Sequence, residues 1–378
     1  MPKKIKFNEP MVFNDSKNYL LKVVNNKVFA DGEFQSRSEK KIKKLINCES
    51  VNLTQSCSSA LEVSMILSNI KKGDEVILPS YTFTSTANCV LLRNAKPVFA
   101  DINVNDVNLD IKSVEKKITK RTKAIIVVHY GGVSCDMDKF LKLKKKYNLI
   151  LIEDAAHAFL GKYKNKYLGT IGDFGAFSFH ESKNIVGGQC GALVINNKKF
   201  IKRADVVLDK GTNRRSLGKK NYYSWQDIGS EYRSPELSAA LVYSQLNNIK
   251  KIQNLRKKIW INYFRDLKKL EGKIFYIPYI RNKDKTNAYH TFPVIFNNIK
   301  IRDKFIKFMR QNKILCYFHY YPLHMSNYGR KISKTKLKNT EKVYNGLVRL
   351  PIYPSLSQLQ VMSIIQKFQS FIKKNSYL

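Results

Sequence analysis

"DFGAFSFHESKNIVGGQCGALVIN", Asp173 to Asn196, holds two short apolar runs, "FGAFSFH" (174–180) and "GALVIN" (191–196), separated by a polar, glycine-punctuated stretch that contains Lys183. Short runs that are apolar without alternation and bounded by turn residues are what strands look like when both faces of their sheet are covered. Working outwards, the same signature recurs at "EVILPS" (75–80), "KPVFAD" (96–101), "AIIVVHY" (124–130) and "LILIED" (149–154). Helical patterns lie between several of them; in "MDKFLKLKKKYN", Phe140 and Leu143 fall on one face. Strands alternating with helices predict an α/β domain with a mostly parallel sheet.

Beyond Ser234 the pattern changes. Ser234 reads as an N-cap and Pro235 as the first helical residue, and Leu237, Leu241, Leu246, Ile249, Ile252, Leu255 and Ile259 predict one long amphipathic helix. "NAYHTFPVIF", a helix near "DKFIKFMRQNK", "YFHYYPLH" and a last helix near "LSQLQVMSIIQKFQSFIKK" follow. The expected division is a large α/β domain over residues 1–245 and a smaller C-terminal α+β domain over 246–378. A length of 378 residues suits two domains of about 100 to 200 residues each.

Hydrophobic residues at 43% and aromatics at 12% exclude a disordered chain. The formal charge of +39 raises a nucleic acid or an anionic membrane as partner. The basic residues are nevertheless spread from "MPKKIKF" through "KLKKKY" and "KKIQNLRKK" to "FIKKNSYL", with no basic arm and no zinc finger. A solvated surface that attracts anionic small molecules is therefore expected, without nucleic-acid or membrane binding. Cys48, Cys57, Cys89, Cys135, Cys190 and Cys316 form no zinc-type spacing and read as free thiols. No signal-peptide core and no long uninterrupted apolar segment occurs, so a cytoplasmic protein is expected.

In open α/β sheets ligands bind beyond the carboxyl ends of the strands. Four features sit there: Asp154 ending "LILIED", His129 ending "AIIVV", Lys183 after "FSFHES", and the serine-rich "TQSCSSAL" (54–61), which turns into a helix after a strand at Ser50 to Leu53. Singly they have ordinary explanations: a helix-capping acid, a hydrogen-bonded wall histidine, a surface lysine, an N-cap serine. Together they suit pyridoxal phosphate, which needs an amine for a Schiff base, a carboxylate for its pyridine nitrogen and a cradle of N–H groups and hydroxyls for its phosphate. Lys183, Asp154 and the helix start at Ser56 to Ser59 supply these, and Ser178 can add a hydroxyl. No metal is required.

"PSYTFTSTANCVLLRNAKPVFADI", "IEDAAHA", "GDFGAFSFHESKN" and "GGQCGALV", in that order, resemble the DegT/DnrJ/EryC1/StrS family of sugar-nucleotide aminotransferases, over nearly the whole chain. The resemblance implies the fold of aspartate aminotransferase (fold type I of pyridoxal phosphate enzymes), with Lys183 the Schiff-base lysine and Asp154 the partner of the pyridine nitrogen. It also puts Phe83 on one face of the ring with His157 near the other, and Ser58, Ser178 and the backbone of Cys57 on the phosphate. Where many members have an asparagine in "GYNYRMSELQAA", this chain reads "GSEYRSPELSAA", with Glu231 at the position that reaches the partner's phosphate. A carboxylate there implies that Glu231 is turned away or neutralised by Arg233.

"DGEFQSRSEKKI", "VHYGGVSCDMD", "KGTNR", "YSWQDIGSEY", "FHYYPLH" and "VRLP" are similar to the members that aminate dTDP-4-keto-6-deoxyglucose. That likeness implies a homodimer, glutamate as amino donor with 2-oxoglutarate as its product, and dTDP-4-amino-4,6-dideoxygalactose for surface polysaccharide as the sugar product. Tyr222, Tyr223, Trp225 and Tyr320 are candidate walls for the sugar or nucleotide. Amination at C3 of a 3-keto sugar nucleotide uses the same cofactor residues and stays open. So does a nucleic-acid-binding regulator on the same fold.

Overall fold

The computed structural model describes residues 4–216, 222–279 and 283–375. Fourteen strands among them are labelled in chain order: β1 (Ser50–Thr54), β2 (Glu75–Pro79), β3 (Lys96–Ala100), β4 (Thr122–Val128), β5 (Ile150–Asp154), β6 (Lys162–Tyr163), β7 (Lys166–Tyr167), β8 (Phe174–Ser178), β9 (Gly191–Ile195), β10 (Phe275–Tyr276), β11 (Lys285–Thr286), β12 (Phe292–Phe296), β13 (Tyr317–Phe318) and β14 (Leu347–Leu350). The main sheet has the order β1-β9-β8-β5-β4-β2-β3. Every strand in it runs in one direction except β9, which is antiparallel to both neighbours. All the apolar runs read as strands from the sequence are strands here, and the mostly parallel α/β architecture is the observed one.

Two apolar layers cover the sheet. Leu151 of β5 points into one, with Phe140 and Phe177, and Ile152 into the other, with Ala60 and Ala87. Successive side chains alternate between faces, so Glu153 and Asp154 must part company as well.

The register aligns the functional edge. Val128 pairs with Asp154, Asp154 with Ala176, Ser178 with Gly191 and Gly191 with Thr54. The ends of β4, β5, β8 and β1 and the start of β9 thus share one rim. Because β9 runs backwards, the chain between Ser178 and Gly191, with Lys183 in it, is a broad hairpin loop on that rim.

Helices α1 (Asn14–Asn26), α2 (Glu33–Ile46) and α3 (Cys57–Leu67) come first. The helix Glu236–Asn247 packs on α1 and α2. The Glu236 carboxylate accepts the N–H groups of Phe34 and Gln35, capping α2 from outside, and Ser16 and Ser244 share a 2.8 Å hydrogen bond.

The long helix expected beyond Ser234 is two helices, Glu236–Asn247 and Ile249–Lys268, with Pro235 as N-cap rather than first helical residue. The break is Asn248, whose side chain donates to the Ser244 carbonyl at 3.0 Å and whose backbone (φ −103°, ψ 11°) leaves the helical region. A short amide competes with the helix ladder in this way.

Ile249–Lys268 leads to a second, antiparallel sheet of order β10-β12-β14-β13. Ile299–Gln311 and Gln358–Asn375 cover it, around Phe275, Phe296, Phe305 and Phe368. Among the described residues no helix is long and apolar enough to cross a membrane, and all six cysteines are free thiols.

Candidate active site

The rim opens into a cavity of about 710 Å³ lined by residues of both sheets. Cys57, Ser58, Phe83, Asp154, His157, Ser178 and Lys183 all line it, as do Ser56 and Tyr320. His129, Tyr222, Tyr223, Trp225 and Glu231 do not.

Asp154 ends β5 on the α3 side of the sheet and is 6% exposed. Its Oδ2 accepts from Thr86 Oγ1 at 2.8 Å and its Oδ1 from the Ala156 N–H at 3.2 Å. Burial raises its pKa, while those two donors and the Lys183 charge pull it back. Across the rim, burial pushes the Lys183 ammonium down to about 8, against the opposing pull of the groups at Cys57 and Asp154. An amine so tuned serves as nucleophile or base near neutral pH.

At α3, Ser56 is the N-cap and accepts the Ser59 N–H at 3.1 Å. The first N–H groups of a helix have no carbonyl of their own to bond, and here Cys57 and Ser58 carry them at the cavity wall. A methyl group on Gly191 would lie 2.4 Å from the Cys57 nitrogen, so β9 approaches this helix start as closely as it does only because residue 191 has no Cβ. Ser58 Oγ donates to Ser85 Oγ at 2.6 Å, which adds a hydroxyl pair to an anion cradle.

His157 Nδ1 accepts the Gly131 N–H at 3.3 Å, which leaves Nε2 to carry the proton beside the Tyr320 hydroxyl, also at 3.3 Å. Its ring stacks on His290 at 4.3 Å. Burial and the nearby charges of Lys183 and Arg349 hold its pKa well below the ordinary value, so the ring is neutral. Phe83 lines the cavity and is 59% exposed, so its ring is not packed into the core.

His129 is fully buried: Nδ1 accepts from the Cys135 N–H and Nε2 donates to Glu153 at 2.9 Å. Glu153 also gathers the N–H groups of Gly169, Ile171 and Gly172 at 2.7 to 2.8 Å. This pair ties down the turn before β8 and has no part in the cavity.

Of the two alternatives for Glu231, turned away or neutralised by Arg233, the second is not what the structure shows. Glu231 is ion-paired with Lys210, whereas Arg233 is engaged by Asp31 and Glu39 at 3.4 and 3.3 Å. Arg233 bridges Thr54 alongside β1 at the edge of the main sheet, where the Ser234 N–H donates to the Leu53 carbonyl.

Thr86, His290 and Arg349 were not singled out from the sequence. The first two gave no signal, because only the fold brings them to Asp154 and His157. Arg349 did give one: an arginine in the otherwise apolar strand "GLVRLPIYP".

The family model for the DegT/DnrJ/EryC1/StrS aminotransferases matches residues 11–369. The chain is 32% identical over 347 residues to the spore coat polysaccharide biosynthesis protein SpsC of Bacillus subtilis, covering 89% of this chain and 88% of that one. It is 30% identical over 362 residues to the UDP-4-amino-4,6-dideoxy-N-acetyl-beta-L-altrosamine transaminase of Campylobacter jejuni, covering 94% of each. Among solved structures, Helicobacter pylori PseC, an aminotransferase involved in the biosynthesis of pseudoaminic acid, superposes with a TM-score of 0.90 at 26% identity, covering 98% of this chain and 100% of that one. A near-neutral lysine amine, a buried carboxylate and a helix-end anion cradle in one cavity agree with these likenesses: the chain belongs to the DegT/DnrJ/EryC1/StrS family and is a pyridoxal-phosphate-dependent aminotransferase.

Proposed function

We propose that the protein transfers an amino group from glutamate to C4 of a nucleoside-diphosphate 4-keto-6-deoxy sugar, with dTDP-4-keto-6-deoxyglucose as substrate and dTDP-4-amino-4,6-dideoxygalactose as product. The observation that carries the reading is the convergence of Lys183, Asp154 and the start of α3 on one cavity.

Pyridoxal phosphate, when bound, supplies an aldehyde that accepts the amine and a ring that withdraws electrons from the reacting carbon. Lys183 Nζ is the residue that would hold that aldehyde at rest and, once released by the incoming amine, would move a proton from the substrate carbon to the carbon that had carried the aldehyde. Asp154 keeps a ring N–H in place through a charge-assisted bond worth roughly 1.5–3 kcal/mol. A buried carboxylate whose direct hydrogen bonds come from the neutral donors Thr86 and the Ala156 N–H fits that task. Cys57 N–H, Ser58 and Ser178 hold the phosphate, and Phe83 and neutral His157 enclose the ring. Together they exclude water from the reacting carbon.

C4 amination draws support from the Campylobacter jejuni relative, whose name specifies a 4-amino-4,6-dideoxy sugar. The dTDP nucleotide and the galacto configuration rest on the likeness of "KGTNR", "YSWQDIGSEY" and "FHYYPLH". We further propose that the chain divides near residue 245, close to the Asn248 break, and acts in the cytoplasm as a homodimer. Tyr222, Tyr223, Trp225 and Ile228, each at least half exposed on one segment, would then meet the second copy. Incubation with glutamate and dTDP-4-keto-6-deoxyglucose, followed by NMR of the product, tests the reading. An axial amine at C4 supports it; nitrogen at C3, or an equatorial amine, overturns the substrate assignment.

A further inference from the structure

Asn184 follows Lys183 in the rim loop and is 6% exposed. Its side chain joins three parts of the molecule. Nδ2 donates to the Ala288 carbonyl at 2.7 Å and to Gln253 Oε1 at 3.2 Å, so the amide oxygen is the atom that faces Nδ1 of His290, at 3.0 Å. Gln253 in turn donates to the Phe159 carbonyl at 3.4 Å, which fixes its own oxygen as the acceptor. An amide oxygen only accepts. His290 Nδ1 therefore carries the ring proton, and Nε2 is bare. The segment that bears His290 is held from other sides too: the Ala288 N–H donates to the Gly132 carbonyl at 3.0 Å, and Arg256 bonds the carbonyls of Tyr289 and His290. A methyl group on Gly132 would lie 2.8 Å from the Ala288 Cβ and 2.9 Å from the His157 carbonyl, so these segments meet without slack. The His290 ring stacks on His157, whose Nδ1 accepts from the Gly131 N–H. The two stacked rings thus carry their protons on opposite nitrogens.

We propose that Asn184 is a positioning residue: it tethers the Lys183 loop to residues 287–290 and sets the tautomer of the stacked histidines in the cavity wall. This rests on the transaminase reading above, in which Lys183 brings one nitrogen to two carbons in turn. A misplacement of about 1 Å can cost 10²-fold in such a step. A tether on the very next residue limits that displacement. The choice of amide over acid matters as well. Burial first, then the neighbours His157, Lys183, Arg256 and Arg349, all of them groups that bear positive charge when protonated, hold the His290 pKa well below the ordinary value. A carboxylate at position 184 would accept the same Nδ1–H but would favour the imidazolium, as an opposite charge within about 4–6 Å does. That would set a further cation among these groups. The neutral amide orients the ring without charging it.

The test uses the cofactor-loaded protein with isotopically labelled histidine rings. NMR of the ring nitrogens, with one signal assigned by its loss in His290→Gln, should show His290 neutral and protonated on Nδ1 through the neutral pH range. Asn184→Asp should raise the His290 pKa by at least about one pH unit and move the acid limb of kcat to higher pH by a similar amount. Asn184→Ser, too short to span the same partners, should lower kcat by about 10- to 100-fold. KM for glutamate should stay within about threefold, because no contact to the donor is lost. Gln253→Leu removes one acceptor of the amide from a residue that does not line the cavity, and should lower kcat by about threefold. A His290 proton on Nε2 in the wild type, or an acid limb that stays in place in folded Asn184→Asp, overturns the tautomer role. A wild-type kcat in Asn184→Ser overturns the tether; should that variant not fold, a wild-type kcat in Gln253→Leu does so instead. If glutamate fails to convert even the wild type, the donor assignment above falls. The ring spectra then still decide for Asn184 or against it.

Discussion

At the cavity floor Asp154 is 6% exposed and each of its oxygens has a donor, while on the segment from Lys210 to Glu231 the Trp225 ring stands 82% exposed. Yet its described residues, 210–216 and 222–231, are tied down. Asp227 pairs with Arg203 at 2.6 Å, Arg214 with Asp209 at 3.0 Å, and Lys210 with Glu231. In the cavity, strand register points the chemistry inward. On the segment, ion pairs hold the backbone and turn the aromatic rings outward. A tied-down stretch that presents exposed rings is built to meet something, and a buried carboxylate bonded to neutral donors is built to hold something. The two regions should therefore answer differently to substitution.

The largest expected effect is Lys183→Ala. Turnover should fall by more than about 10⁴-fold, beyond what a proton-transfer role alone accounts for, and borohydride should no longer fix the cofactor to the protein. Mass spectrometry that finds the adduct on a different lysine would break the comparison at its centre. Asp154→Asn should fold normally and lose roughly 10²–10³-fold in kcat; near-wild-type rates would make the carboxylate structural only.

Glu153→Gln puts a donor where the carboxylate now accepts N–H groups, so it should cost about 1–3 kcal/mol of stability per unsatisfied group. Its kcat should remain close to normal at a temperature where the variant is folded. Denaturant melts and steady-state rates on the same preparation check both halves.

The cofactor-free protein offers a pH test. Lys183 titrates at about 8 in the folded chain against an ordinary 10.5. Between those values the unfolded chain binds the proton and the folded chain does not, so stability from this residue rises with pH there and its cost is fully present below 8. Lys183→Met should melt a few degrees higher than the wild type at neutral pH, with the gap closing towards pH 10.5. A gap independent of pH would contradict the lowered amine. Smallest of all, Trp225→Ala should change the melting of an isolated subunit within about 0.5 kcal/mol, yet weaken self-association in sedimentation experiments. Unaltered association would remove that ring from any subunit contact.

The strands, the rim and Lys183 with Asp154 were legible because each depends on a short, local pattern: an apolar run, the residue that ends it, a serine cluster opening a helix. Adjacent Glu153 and Asp154 show the limit. Both end the same apolar run, and only strand alternation, with β5 held between β4 and β8, sends one to His129 and the other to Thr86. A similar reason keeps Arg233 from neutralising Glu231: it is close in sequence, but its bridge to Thr54 at the edge of β1 goes with ion pairs to Asp31 and Glu39. The helix break at Asn248 was hidden because the apolar spacing runs through it unchanged.

The bond from Glu236 to the Phe34 N–H spans 202 residues. During synthesis at about 5–20 residues per second, α1 and α2 therefore leave the ribosome roughly 10–40 s before the helix that covers them. In that interval Phe34 has the Tyr19 ring of α1 beside it, 5.1 Å away, but not Tyr243 of the later helix, which lies 5.8 Å from it in the finished core. The first helices of this chain are thus among the last parts of its first core to be sealed, and in the cell they depend on whatever shields nascent apolar surface until residue 246 has emerged.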